Sequence, residues 1–342
     1  MESLATNLNE ASPMLVLSAA DVRASLPMHE CIEAMKRAFG ALASGRAVVP
    51  LRAQLPVEPH DGVTLVMPAL VEDGDVSALV VKVVSVFGDN PSRDLARVQA
   101  AVLVLETETG RLLAMLEGAT LTAIRTAACS GAATDLLARR DSRVLGVLGS
   151  GVQARTHIEA ICCVRPIEIV RVFAPTAAHV EALVEDMTGR GVVTARIEAA
   201  ASASEAVAGA DVVCATTTSK TPVLDDADVA PGVHVNAVGS YTPGAAEIPP
   251  ETVARARVVV DDREAAWEEA GDLIGPLEAG LIDRDHVVAS LGDLVNGTAT
   301  GRTDESQVTM FKSVGLAVQD AFAARLALDN AQRDRRGQAV DW

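Results

Sequence analysis

One stretch constrains this chain more than any other. The short apolar run 144–148 enters Gly149-Ser150-Gly151-Val152-Gln153-Ala154 and continues into helix-forming sequence. In such a turn the first glycine permits a tight strand-to-helix reversal, and the second lets the backbone approach a pyrophosphate. A small third residue, here Ala154, lets the helix pack close to the strand. The free N–H groups opening that helix are a natural seat for phosphate oxygens. A bare glycine pattern is weak. The strand before it, the helix after it and a further strand at 167–173 favour a dinucleotide site over a plain glycine-rich loop.

The remaining chain changes character near Arg140. Beyond it, strands are expected at 192–197, 212–215, 233–238 and 258–260, with a helix at 177–187. Alternating strands and helices imply a parallel sheet covered on both faces. Before Arg140 the pattern differs. Residues 18–44 read as one helix, with Ser18 as its cap, Asp21 in its first turn, and Ile32, Met35, Phe39 and Leu42 on one face. Residues 46–68 are broken by proline and polar positions. Residues 79–87, 100–105 and 112–116 form an antiparallel meander, its last two strands joined at Glu108-Thr109-Gly110. Helices follow at 121–139 and, after the parallel part, at 307–330. The fold class is therefore α/β: a Rossmann-type doubly wound parallel sheet plus a second α+β part.

Charge and composition narrow the partners. The 342 residues carry 29 basic and 46 acidic side chains, a net of −17. That field repels phosphodiester backbones and anionic lipid, and so few aromatic rings leave little to stack on bases. Neither nucleic acid nor a membrane is an expected partner. A small anion remains possible where basic residues converge. Five cysteines, without CxxC spacing, read as reduced thiols of a cytoplasmic protein. Residues 1–13 lack a signal pattern and read as a loose arm. Six scattered histidines give no metal site. The pairs Asp225-Asp226 and Asp261-Asp262 read as solvated element ends.

The end of the strand at 167–173 bears on cofactor choice. An acid there holds a ribose 2′-hydroxyl. Here Ala174, Pro175 and Thr176 follow Phe173, so nothing repels a 2′-phosphate, and Thr176 and His179 can meet one. NADP is favoured, and NAD stays open.

Several separated motifs extend this reading. They are Val81-Lys82-Val83-Val84-Ser85 with Asn90-Pro91, Leu121-Thr122-Ala123-Ile124-Arg125-Thr126, and the 149–155 turn. Further on come His234 to Ser240, Glu269-Ala270-Gly271-Asp272, and Phe311-Lys312-Ser313-Val314-Gly315. Together, and in this order, they resemble the ornithine cyclodeaminase/mu-crystallin family over about residues 15–328. The resemblance implies a substrate-binding and dimerisation domain of residues 1–128 and 305–342, a dinucleotide domain of residues 129–304, and a homodimer built largely by the N-terminal β-structure. It places Arg125, Thr126, Gly149, Gly151, Val152, Gln153, Ala154, Ala174, Pro175, Thr176, Thr216, Thr217, Val238, Gly239, Ser240 and Ser313 at the cofactor. It places Lys82, Arg52 and Arg125 at a substrate carboxylate. Structural alternatives stand beside these roles: an edge lysine, a solvated loop arginine and an interdomain salt bridge, respectively. Lys312-Ser313 is expected to open the last helix.

One departure is informative. Cyclodeaminases carry an aspartate after the Val-Gly-Gly of the loop that here reads Val238-Gly239-Ser240-Tyr241. Tyrosine titrates near 10 and is a poor base at neutral pH. The glutamate that those enzymes place before the Met-Pro pair is also missing, since Thr64-Leu65-Val66 precedes Met67-Pro68. Glu247 is read as a structural acid. These features imply an NAD(P)H-dependent reductase of imino acids, such as pyrroline-2-carboxylate or piperideine-2-carboxylate, or a related amino-acid dehydrogenase. The alternatives are an ornithine- or lysine-type cyclodeaminase and a mu-crystallin-like protein that binds NADP and a small carboxylate.

Overall fold

The computed structural model describes residues 13–342. Its backbone forms two eight-stranded sheets. The second sheet is wholly parallel, in the order Arg196–Ala199, Ile169–Phe173, Val144–Leu148, Val212–Ala215, His234–Ala237, Thr309–Lys312, Arg257–Val260, Val287–Ser290. The chain leaves Val144–Leu148 for one neighbour and returns on its other side. This makes the carboxyl end of that strand a switch point, where a crevice opens. Valine and alanine fill the flanking cores, with Val147, Val213, Val235 and Val258 fully buried. Strands covered on both faces favour unbroken apolar runs, and the central pair Val144–Leu148 and Val212–Ala215 has them.

The first sheet is built around the antiparallel strands Gly62–Asp73, Val76–Phe87, Val98–Leu105 and Leu112–Glu117. Met14–Leu17 pairs in parallel with Leu112–Glu117, and Gln338–Val340 closes that edge. The helices Gly118–Leu137 and Ala317–Asp334 pack against the inner face, and Met28–Ala43 packs onto both of them, with Phe39, Ile124 and Phe322 in one shared core. On that face Lys82 stands between Val80 and Val84, all three buried. The outer face leaves Val66, Val83 and Met115 more than a third exposed.

Several elements depart from the sequence reading, among them the strand expected at 192–197, which runs Arg196–Ala199. The 18–44 helix is two helices, Ala19–Ser25 and Met28–Ala43, because Pro27 cannot continue the first. Ser18 and Asp21 do form a reciprocal capping box on the first. The broken stretch 46–68 holds three strands, the longest being Gly62–Asp73. Pro68 is tolerated within it because Ala53–Val57 pairs with residues 62–66 and Ala47–Val48 with residues 70–71. The proline's missing donor thus falls in the gap between these two partners. The last helix begins at Ala317, not 307, and Thr309–Lys312 is a central strand of the parallel sheet. The chain therefore rejoins the first sheet after Lys312, later than residue 305. No helix among the described residues is long and apolar enough to cross a membrane.

Candidate active site

The turn after Val144–Leu148 has the form the glycines require. Gly149 adopts φ +113°, and a β-carbon there would stand 2.8 Å from the Thr216 carbonyl oxygen. Only glycine meets both conditions. Gly149 N–H donates to the Phe173 carbonyl at 2.8 Å, tying the turn to the next strand. Gly151 caps the helix Val152–Val164 without a side-chain acceptor, and Val152 beside it is 64% exposed. Ala154 is fully buried beneath the turn. The uncapped N–H groups, the open approach at Gly151 and the absence of a Cβ at Gly149 fit a dinucleotide pyrophosphate. At the next strand end, Ala174 is half-buried, Pro175 and Thr176 are exposed, and no acid intervenes.

The loops beyond the central strands are held by buried acids. Glu247 accepts from Thr217 N and Oγ1, each at 2.7 Å, from Gly239 N at 2.6 Å and from Ser240 N at 3.2 Å. Burial raises its pKa despite these donors. Asp272 accepts from Glu247 N and Ile248 N and from Ser240 Oγ, and it pairs with Lys312 at 2.7 Å. Burial opposes its charge, yet Lys312 and these donors leave its pKa lowered. Lys312 also donates to the Ser240 carbonyl. It is fully buried at a strand end and does not open a helix.

Asp261 is buried too, not solvated. It accepts from Ser313 Oγ at 2.9 Å, Val314 N at 2.7 Å and Gly315 N at 2.8 Å. Asp226 is tied to Thr252 and Arg255, each at 2.7 Å. The hydroxyl protons of Thr216, Thr217 and Ser313 go to Leu148 O, Glu247 and Asp261 respectively. These hydroxyls therefore organise the crevice wall and keep only acceptor capacity toward a ligand. Val238 and Gly239 are half-buried at the same edge, where Gly239 packs against the Thr217 carbonyl.

The three cations arrive from three elements. Lys82 comes from Val76–Phe87, Arg125 from Gly118–Leu137 with Thr126 half-buried beside it, and Arg52 from the segment before Ala53–Val57. Lys82 Nζ lies 2.7 Å from Asp320 Oδ2, and Arg125 Nε donates to Asp320 Oδ1 at 3.0 Å. Arg125 Nη1 also donates to Gln319 Oε1. Arg52 is paired at two points with Glu269, and its Nε–Oε1 distance is 2.8 Å. Burial lowers the Lys82 pKa to about 8, Asp320 opposing the fall and Arg125 and Arg52 adding to it. Arg52, Glu269, Met67, Gly315 and Leu316 line a cavity of about 270 Å³. Met67 is the cross-strand partner of Lys82, and Gly315 lies against the Arg125 guanidinium. Tyr241 is more than a third exposed and borders a second cavity of about 630 Å³ with Ser240, Arg97 and Lys220.

The sequence reading missed Asp320, Gln319 and the part played by Glu269. Each is remote in sequence from the cation it serves. The available signal was an Asp within the apolar run Ala317 to Ala324, where an isolated charge needs a partner.

Comparison with known proteins agrees with this fold. The family model described as the ornithine cyclodeaminase/mu-crystallin family matches residues 13–335. A Delta(1)-pyrroline-2-carboxylate reductase of Bacillus cereus is 36% identical over 330 residues, covering 96% of this chain and all of the relative. The solved Thermococcus litoralis Delta(1)-pyrroline-2-carboxylate reductase, in complex with NADH and L-proline, superposes with a TM-score of 0.92 at 40% identity, covering 96% of this chain and 100% of that one. An archaeal alanine dehydrogenase dimer with bound NAD superposes with a TM-score of 0.88 at 30% identity, covering 96% of this chain and 99% of that one. With a family match over nearly the whole chain and a relative 36% identical over 96% of it, this protein belongs to the ornithine cyclodeaminase/mu-crystallin family.

Proposed function

We propose that this protein is an NAD(P)H-dependent reductase of small imino acids, with a cyclic ketimine such as pyrroline-2-carboxylate or piperideine-2-carboxylate as substrate. The carrying observation is that Lys82 and Arg125 converge on Asp320, with Arg52 among the charges bearing on Lys82, in a chain that has Tyr241 where a cyclodeaminase needs an acid. Arg125 uses Nε and Nη1 on Asp320 and Gln319, and Arg52 uses Nε and Nη2 on Glu269. Each guanidinium keeps further N–H groups for a carboxylate. Lys82 is the proton carrier. Its N–H bond breaks as an N–H bond forms on the imine nitrogen, and the α-carbon gains a hydride. When bound, the reduced nicotinamide supplies that hydride. The cluster's role is to hold and polarise the C=N bond while charge moves.

The cofactor site takes NADH or NADPH, and the acid-free tip at Ala174-Pro175-Thr176 favours NADPH. Residues 129–304, with strand Thr309–Lys312, serve the nucleotide, and the first sheet with the last helix serves the substrate. The outer face bearing Val66, Val83 and Met115 suits a homodimer contact. Five free cysteines fit a reducing cytoplasm.

The test is a screen of the purified protein with each cofactor against pyrroline-2-carboxylate, piperideine-2-carboxylate, and pyruvate with ammonia or methylamine. Loss of nicotinamide absorbance with a cyclic imine is expected. Ammonia and proline from ornithine, with no net cofactor change, would replace this reading with a cyclodeaminase. Cofactor binding without turnover of any substrate would replace it with a binding protein.

A further inference from the structure

Lys82 and Arg125 sit on different elements, yet their charges meet at one carboxylate. Asp320 projects from the first turn of Ala317–Asp334 and is fully buried. One oxygen faces Lys82 Nζ at 2.7 Å and the other takes Arg125 Nε at 3.0 Å. The neighbouring Gln319 takes a second Arg125 donor. Lys82 is 1% exposed and Arg125 5%, so water does little to stabilise either charge. The charged groups bearing on Lys82 are Asp320, Arg125 and Arg52, and Arg52 is itself engaged by Glu269. Asp320 is therefore the anion in direct contact with the Lys82 ammonium.

We infer that Asp320 is a positioning residue that fixes Lys82 Nζ and the Arg125 guanidinium against each other and keeps Lys82 in its proton-bearing form. The inference rests on the reading of Lys82 as the proton carrier. Lys82, Arg125 and Asp320 sum to one positive charge, which a substrate carboxylate neutralises. An aspartate serving packing alone would not face the two cations with separate oxygens.

The chain has four lysines, at 36, 82, 220 and 312, which makes a direct measurement practical. Lysine side chains labelled with carbon-13 are titrated by NMR in the protein without substrate, and the Lys82 signal is assigned by its loss in K82M. In D320N the Lys82 midpoint is expected to fall by about one to three pH units. Dinucleotide binding and the signals of Lys36, Lys220 and Lys312 report that the fold is kept. The alkaline limb of the pH profile of kcat/KM for the imine moves down with the midpoint. D320E keeps the charge, so it restores the midpoint while the displaced carboxylate lowers kcat. An unmoved Lys82 midpoint in folded D320N overturns the inference, whether or not the enzyme turns over. Should D320N fail to fold, the wild-type titration decides: a Lys82 amine already neutral at pH 7 overturns it as well. A midpoint that shifts in a protein reducing no imine would leave the role of Asp320 intact and sink the proposed reaction.

Discussion

Arg52 and Glu269, 217 residues apart in sequence, meet as a two-point ion pair at the rim of the smaller cavity. Their side chains are 12% and 16% exposed. Glu269 occupies the edge of the guanidinium formed by Nε and Nη2, which leaves the Nη1 donors outside the pair. A long side chain on a loop is otherwise free among many rotamers, and fixing it in advance lowers the entropy cost of binding. In E269Q one strong acceptor becomes a weak one and Arg52 loosens. We expect KM for the imino acid to rise about tenfold, equivalent to roughly 1.4 kcal/mol, with kcat changed far less. Steady-state kinetics with the cofactor held saturating checks this. An unchanged KM would show that Arg52 needs no clamp.

A second arginine holds the scaffold together, away from the chemistry. Arg165 is almost fully buried at the carboxyl end of Gly118–Leu137. Its Nη2 donates to the carbonyls of Thr134 at 2.8 Å, Asp135 at 2.9 Å and Ala138 at 3.0 Å, and its Nε to that of Arg139 at 2.8 Å. Terminal helix carbonyls lack partners within the helix, and a cation answers both their hydrogen bonding and the helix dipole. R165M removes this donor from the buried Ala138 carbonyl and from that of Asp135, while Thr134 keeps its bond from Ala138 N–H and Arg139 its bond from the Ser142 hydroxyl. A loss of about 3 kcal/mol is expected in urea unfolding, with KM for cofactor and imine unchanged in the folded protein.

What the sequence disclosed follows physical range. The nucleotide sheet was readable because its signals are local: unbroken β-branched runs, and a glycine turn whose geometry is set within six residues. Ala177–Met187 and Val212–Ala215 fall at their expected bounds. Gly62–Asp73 was obscured by Pro68, since its tolerance depends on where two distant strands stop pairing. Thr309–Lys312 was absorbed into the following helix because four apolar-flanked residues do not reveal their period. The cations Lys82, Arg125 and Arg52 stood out by residue type and motif. Their acids did not, because Asp320 and Glu269 are brought near only by the packed fold, and no spacing rule links residues 195 or more apart. Asp261 read as solvated and Asp272 carried no derived role for the same reason, since their partners come from remote turns and from the Lys312 strand end.

Two histidines tie stability to pH. His157 is fully buried, with Nδ1 on the Gln153 carbonyl at 2.7 Å and Nε2 on Ser130 Oγ at 2.9 Å. These partners suit a neutral ring that donates from Nδ1 and accepts at Nε2. Burial lowers its pKa from 6.5 to about 4, and burial with the nearby Arg302 lowers that of His234 to about 3. In the unfolded chain both protonate near 6.5, so acid favours unfolding. The stability present above pH 6.5 is lost as pH falls toward the folded values. Each ring contributes up to about 1.4 kcal/mol per pH unit in that window. Unfolding free energy should therefore drop by roughly 2 to 5 kcal/mol between about pH 7 and about pH 4.5. Urea titrations across this range check it. H157Q should flatten the slope, and a flat wild-type profile would refute the assignment.

The two glycines of the nucleotide turn should fail in different ways when given a methyl group. At Gly149 the backbone lies at φ +113°, and the new carbon would meet the Thr216 carbonyl at 2.8 Å and its hydroxyl at 2.9 Å. Neither neighbour yields easily, since Thr216 Oγ1 is bonded to Leu148 O across the switch point. G149A should therefore lose about 2 to 4 kcal/mol of stability along with dinucleotide affinity. At Gly151 the same carbon meets no protein atom within 4 Å. G151A should thus melt within a degree or two of wild type, about the size of an ordinary surface change. It should still weaken NADH and NADPH binding by more than about tenfold, because the methyl stands where a pyrophosphate must touch backbone. Calorimetric binding and thermal melting on the two variants separate the cases. A G151A protein that bound both cofactors as wild type does would place the pyrophosphate elsewhere.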